Sequence, residues 1–405
     1  MYSAALCCLL AAFPAQPQDS AHPAASPHAT AETLIFDGKV PHSGAMMTSD
    51  PAMFNFGGQW VQLFTTVGWR LDCASANRYS YTIQQAAAAL PAGSDLSSPT
   101  SAWQVIPGSA GYSQFISPGP SGAWDHDATE APKLVSGFDP VKGKNVLRIY
   151  YTGWKRVQTS ADKSGCPTYG YTDWNMGMAE LDPVSNTWIK QTTPLLQDAN
   201  PWEQLHYSKP DGSHIAYRVV GDQSVIYVPG TAQTAGAWHM YYQATTDVPG
   251  LHVVTVHAIS KDGVTWPASN RSVLSTHAPY ATSLLPGGPY SIDVSVIGGK
   301  YYFVGWLPNP GDLSKQGLWV VSSSTPDGSA PGDFTNWNLL LADNNGTWWH
   351  SAQPNMLASH QAGLFAPTLM YENQKLWLYY SAVRQDQDGL WTSIGRALVD
   401  TAVLR

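Results

Sequence analysis

Four carboxylic acids in this chain open short apolar runs at long, similar intervals. They are Asp50 of SDPAMF, Glu130 of TEAPKLV, Asp222 of GDQSVIY and Asp293 of YSIDVSVI. Ala366 of APTLMY opens a fifth run, and the five openings lie 80, 92, 71 and 73 residues apart. The chain has only five Glu among 405 residues, so four acids at one repeat position exceed what composition would supply. Paired carboxyl groups suit cleavage of a glycosidic bond. One protonates the leaving oxygen while the other activates water or attacks the anomeric carbon. Like charges held close raise at least one pKa, as a proton donor at neutral pH requires. The competing reading is structural, since acids also cap strand ends and bind turn amides.

The densest polar cluster is WDHDATEAP, residues 124–132. Asp125, His126 and Asp127 are expected either to line a pocket rim or to sit in a solvated loop. His126 is also a candidate base or acid, histidine being the side chain whose ordinary pKa lies near neutrality. Other chemistries lack their signatures: there is no HExxH, CxxC, EF-type loop, GxSxG or phosphate loop. No cofactor is expected to be required.

Each acid must be positioned by the run it opens, and Asp222–Trp266 shows how. It reads DQSVIY, WHMYYQATTD, LHVVTVHAIS and KDGVTW. Each run is rich in β-formers and bounded by turn residues, so the stretch reads as a four-stranded antiparallel unit. Asp50, Glu130, Asp293 and Ala366 open comparable units. The fifth lacks a last strand, which AETLIF (31–36) is placed to supply, closing a ring. The expected fold is all-β, a five-bladed propeller of four-stranded antiparallel blades around a central pocket. In such a fold the first residues of the innermost strands point into one pocket.

Charged residues make up only 12% of the chain, and the net charge is −8. Scarce Lys and Arg argue against nucleic acid or an anionic membrane as partner. Seventeen Trp and 20 Tyr supply flat rings for β-packing or for stacking on sugars. Trp69, Trp124, Trp154 and Trp306, at strand ends or in loops, are the candidates for stacking. Cys7 and Cys8 lie in AALCCLLAAF, an apolar run resembling the core of a signal peptide, though without a basic start. Residues 1–30 therefore read as signal peptide and disordered linker, and 31–405 as one domain. Cys73 and Cys166 remain, and in an exported chain they are expected to form one disulfide. The expected setting is secreted or periplasmic, and the expected state a monomer.

Five units, an acid opening the innermost strand, and the signature Ser260-x-Asp262-Gly263-x-x-Trp266 resemble the five-bladed propeller glycosidases. These comprise glycoside hydrolase family 43 (arabinanases, arabinofuranosidases, xylosidases) and the related invertase/levansucrase clan. The resemblance covers about residues 33–400. It implies Asp50 as base or nucleophile, Asp222 as the residue that positions substrate and tunes pKa values, and a general acid on the fourth unit. That unit carries Asp293 where the family has Glu, and Glu130 is the alternative acid. The resemblance also implies an oligo- or polysaccharide substrate with furanoside or xyloside linkages. A structural Ca²⁺ occurs in some members, with His350 and His360 as weak candidates here. A non-catalytic glycan-binding propeller and a retaining fructan-type transglycosylase are the rival readings.

Overall fold

The computed structural model describes residues 27–38, 47–106, 115–203, 205–208, 214–217, 219–245, 253–274, 290–307, 314–343, 346, 348–349, 363–386 and 389–405. The leader-like region up to residue 26, and His350 and His360, lie outside them. Regular structure among the described residues is β, apart from five short 3-10 turns. In chain order the strands are β1 (Ala29–Phe36), β2 (Thr48–Phe56), β3 (Gln59–Cys73), β4 (Arg78–Ala89), β5 (Gln104–Val105), β6 (Ala128–Asp139), β7 (Lys144–Ala161), β8 (Pro167–Asp182) and β9 (Thr187–Lys190). There follow β10 (Leu205–Ser208), β11 (His214–Tyr217), β12 (Val220–Val228), β13 (Ala237–Thr245), β14 (Val253–Ser260) and β15 (Arg271–Val273). The last are β16 (Tyr290–Ile297), β17 (Lys300–Leu307), β18 (Gly317–Ser323), β19 (Trp337–Ala342), β20 (Leu364–Glu372), β21 (Lys375–Asp386) and β22 (Gly389–Val399).

The four-stranded repeat is present. Strands β6 to β9, β12 to β15 and β16 to β19 each form an antiparallel meander, and β3, β4 and β5 pair in order. In the last sheet β1 pairs antiparallel with β22 and supplies the fourth strand. Two readings are corrected. The fourth strand of the Asp222 unit is β15, beyond Trp266, because Ser260–Trp266 is a turn whose Trp is buried. The hairpin β10–β11 is an addition that the apolar pattern did not separate from loop.

The chain divides into two compact units. One comprises Met1–Val61, Ala89–Gln104 and Leu274–Arg405, and the other Gln62–Ala88 and Val105–Val273. In the first, Tyr302, Val304 and Leu318 pack with Leu369, Leu378 and Tyr380. In the second, Val146, Tyr150 and Met178 pack with Trp238, Met240 and Val256. Each core is apolar surface held between neighbouring sheets, the arrangement that excludes water from both faces.

The strands β2, β6, β12, β16 and β20 share one backbone feature. Asp50, Ala131, Asp222, Ser291 and Ala366 all have positive φ, between 44° and 54°. Where pairing is resolved, the register shifts there: between Glu130 and Lys133, Gly221 and Ser224, Tyr290 and Asp293, and Phe365 and Thr368. Two residues thus oppose one, which is a β-bulge. A left-handed non-glycine residue costs about 1–2 kcal/mol, and a glycine within a strand costs about 0.5–1 kcal/mol. Ala366→Gly should therefore leave stability unchanged or raise it by up to ~1.5 kcal/mol. Ala382→Gly, in extended β21, should lower it by at least ~0.5 kcal/mol. Urea unfolding of both variants checks the contrast.

Candidate active site

The left-handed residue gives a common register for comparing β2, β6, β12, β16 and β20. Asp50 and Asp222 occupy the same position, and Ala131, Ser291 and Ala366 are their counterparts. Glu130 stands one residue earlier, and Asp293 two residues later. The four acids therefore do not share one repeat position, as the spacing of the runs suggested. The extra bulge residue shifts the count, and apolar patterning does not reveal it.

The bulge amide is clasped from the neighbouring sheet. The Asp50 N–H donates to Ser381 Oγ at 2.9 Å. The Ala131 N–H donates to Thr65 Oγ1 at 2.9 Å, and the Asp222 N–H to Thr152 Oγ1 at 2.9 Å. These hydroxyls lie on second strands in similar words, LFTT, YYTG and YYSA. That aromatic-hydroxyl recurrence is the sequence signal that marks these residues.

Thr152 does more than clasp. It sits directly across from Glu130 on the paired strand. Its hydroxyl donates to Gln223 Oε1 at 2.9 Å, and Gln223 Nε2 donates to the Ala131 carbonyl at 2.6 Å. Within this one unit, Glu130 and Asp222 are thus fixed on either side of a single buried threonine. Glu130 is buried, and its Oε1 accepts the Trp154 indole N–H at 2.9 Å. Asp222 is half-buried. In the other unit Asp50 is half-buried and accepts the Ser49 hydroxyl at 3.0 Å. Asp293 is buried there, and its Oδ2 accepts the Thr368 hydroxyl at 2.6 Å.

Opposite three of the bulges stands a buried tyrosine whose hydroxyl donates to a carboxylate. Tyr151 donates to Asp125 at 3.0 Å, Tyr242 to Glu203 at 2.5 Å and Tyr380 to Glu32 at 2.8 Å. Burial and the adjacent carboxylate raise all three phenol pKa values, so these hydroxyls remain donors.

The acids of the 124–132 cluster are not solvated. Asp125 is buried and also pairs with Lys190 at 2.8 Å. Asp127 is buried between Arg70 and Arg156, each at 2.7 Å. Burial would raise its pKa, but the hydrogen bonds and charge of Arg156, with the charge of Arg70, hold it below the usual carboxylate value. His126 contacts Arg70 and the Gly119 carbonyl through Nδ1. Of the tryptophans, Trp154 is buried and stacked on Trp174 at 5.7 Å, and Trp306 is buried against Tyr290. Their faces are covered by protein, which removes both as sugar platforms. Trp124 is half-buried and stacked on Tyr151 at 5.8 Å. The Trp69 side chain lies outside the described ones.

Asp343, not singled out in sequence, is a buried acid whose pKa burial pushes up to about 6. Its Oδ2 accepts from Trp306 Nε1 at 3.0 Å and Gln316 Nε2 at 2.7 Å. Among the described residues no group of three or more His, Cys, Asp or Glu is placed to hold a metal ion. The expected Cys73–Cys166 disulfide is present.

No family model and no curated protein sequence matches this chain. Solved structures do share its fold. One described as a complex of BT0996 with RGII is 14% identical with a TM-score of 0.53, over 90% of this protein and 90% of the other. One described as "Glycoside hydrolase" is 13% identical with a TM-score of 0.52, again over 90% of both. The fold resemblance to propeller glycosidases expected from the sequence is borne out at this level.

Proposed function

We propose that this chain is an exported five-bladed β-propeller glycoside hydrolase acting on furanoside or xyloside linkages of a polysaccharide. One observation carries the reading. Asp50 and Asp222 alone among the five inner strands put a carboxylate on the left-handed bulge residue. Strained backbone of this kind is concentrated at functional sites. The fold shared with a structure described as a glycoside hydrolase supports the same conclusion. The disulfide supports export.

The roles follow from the family resemblance. Asp50 takes a proton from water, whose oxygen attacks the anomeric carbon. Glu130 gives its proton to the leaving glycosidic oxygen. Asp222, locked to Glu130 through Thr152, tunes that acid and orients the sugar. Glu130 is preferred to Asp293 because it adjoins a bulge, whereas Asp293 lies beyond one and is held by Thr368. The reaction needs two carboxyl groups and water and calls on no cofactor.

A second reading, a non-catalytic glycan-binding propeller, has one observation in its favour. Ser291 occupies the bulge of the fourth sheet, where the family resemblance implies an acid. Incubation with aryl furanosides and xylosides and with arabinan, xylan and fructan decides between them. Release of reducing sugar is the expected result. Binding without product would establish the second reading.

A further inference from the structure

Two hairpins of the second unit run on past the beginning of the inner strand β6. That strand starts at Ala128, paired with Trp154 of β7, which in turn pairs with Trp174 of β8. Beyond this level β7 and β8 continue as a two-stranded ribbon, from Lys155 opposite Asp173 to Ala161 opposite Pro167. At about 3.3 Å per residue, these seven residues extend roughly 23 Å. The β3–β4 hairpin, turning at residues 74–77, rises beside it.

An isolated two-stranded ribbon is marginal in water, yet these two are joined at three heights. At the foot, Asp127 holds Arg70 of β3 and Arg156 of β7. Midway, Arg156 lies between the rings of Tyr81 and Tyr169, 5.4 and 4.8 Å from their centroids. At that height the Tyr169 hydroxyl also donates to Asp72 at 2.5 Å. At the tip, Cys73 and Cys166 form the disulfide, and Ser75 Oγ donates to the Ser164 carbonyl at 3.2 Å. The foot is continuous with the candidate site, since Trp154, where the ribbon begins, holds Glu130.

We propose that this stapled pair of ribbons is a rigid specificity wall that binds the sugar units of a neutral oligosaccharide beyond the one at the carboxylates. Three features argue for it. The ribbons leave the sheet at the end where Glu130 and Asp222 lie. Arg70 and Arg156 share Asp127, and Arg78 pairs with Asp72 and Asp162, so arginine charge on the wall is paired while the Tyr79 ring stands exposed on it. Cross-linking at every height spares the ordering cost that a loose ribbon would incur on binding. The inference rests on the glycosidase reading for the site's identity, but its test does not depend on catalysis.

The test compares the folded protein, the same protein after reduction of the disulfide, and the Cys73→Ser/Cys166→Ser variant. Calorimetry with neutral arabino- and xylo-oligosaccharides of five or more units gives the affinity. Loss of the staple should weaken that binding at least fivefold. The ratio of kcat/KM on the oligosaccharide to kcat/KM on an aryl monoglycoside should fall by a similar factor. An oligogalacturonide of equal length should bind at least tenfold more weakly than the neutral ligand. Equal losses on long and short substrates, unchanged affinity, or preference for the acidic ligand would overturn the wall. If no substrate is cleaved yet affinity still depends on the staple, the hydrolase reading fails and the wall stands.

Discussion

Asp50→Asn is expected to lower glycoside hydrolysis by about 10²–10⁴-fold, the usual worth of a positioned general base. Its melting temperature should stay close to that of the parent. The asymmetry follows from how the residue is held. Ser381 grips the Asp50 backbone N–H, which the substitution keeps. Asn tolerates the left-handed conformation better than most residues, and its carbonyl oxygen can still accept the Ser49 hydroxyl. Both of these bonds survive the substitution, while the chemistry loses its proton acceptor. Asp222→Asn should behave alike in stability, with the loss shared between kcat and the pH profile because Asp222 acts on the acid. Initial rates on an aryl glycoside, paired with thermal melts, check both. Activity within tenfold of the parent for Asp50→Asn would remove it from the mechanism.

Much of the fold was legible because its signals are local. Runs of β-formers punctuated by Gly, Asn and Asp mark the strands. The two-residue turns Gly57-Gly58, Gly298-Gly299 and Asn373-Gln374 all have positive φ at both positions, the geometry that joins twisted strands tightly. The fourth strand supplied by β1 followed from counting. The register of the acids was less legible. A bulge adds one residue without changing composition, so Asp293 looked equivalent to Asp222 when Ser291 is its counterpart. The partners of charged groups were also hidden. Asp125 and Asp127 read in sequence as pocket rim or solvated loop, but Tyr151, Lys190, Arg70 and Arg156 reach them from 26 to 65 residues away. Trp154 and Trp306 show the same blindness, because an indole at a strand end reads alike whether it faces sugar or another sheet.

The signature Ser260-x-Asp262-Gly263-x-x-Trp266 acquires a physical meaning that leads to the largest expected change in stability. Ser260 and Asp262 bond the turn's own amides, which fixes its shape. The turn then offers two carbonyls to the neighbouring sheet. Arg148 donates to that of Asp262, and the Tyr150 hydroxyl to that of Gly263 at 2.9 Å. Arg148 is fully buried, pairs with Asp139 and with Glu180, and lies 5.1 Å from the centre of the Trp238 ring. One guanidinium thus links the second sheet to the third. Arg148→Met keeps much of the packing volume but leaves the buried Asp139 charge without its cation, held only by the Val141 and Lys142 amides at Oδ1, and strips the Asp262 carbonyl of this donor. Removing one partner of a buried ion pair costs about 3–5 kcal/mol, and that loss is expected here in urea unfolding. Adding Asp139→Asn should recover part of it, because the stranded charge is then gone. Arg78→Ala should cost much less, since that side chain is 35% exposed and water can replace its bonds. If Arg148→Met and Arg78→Ala prove equally mild, the signature is not a lock between sheets.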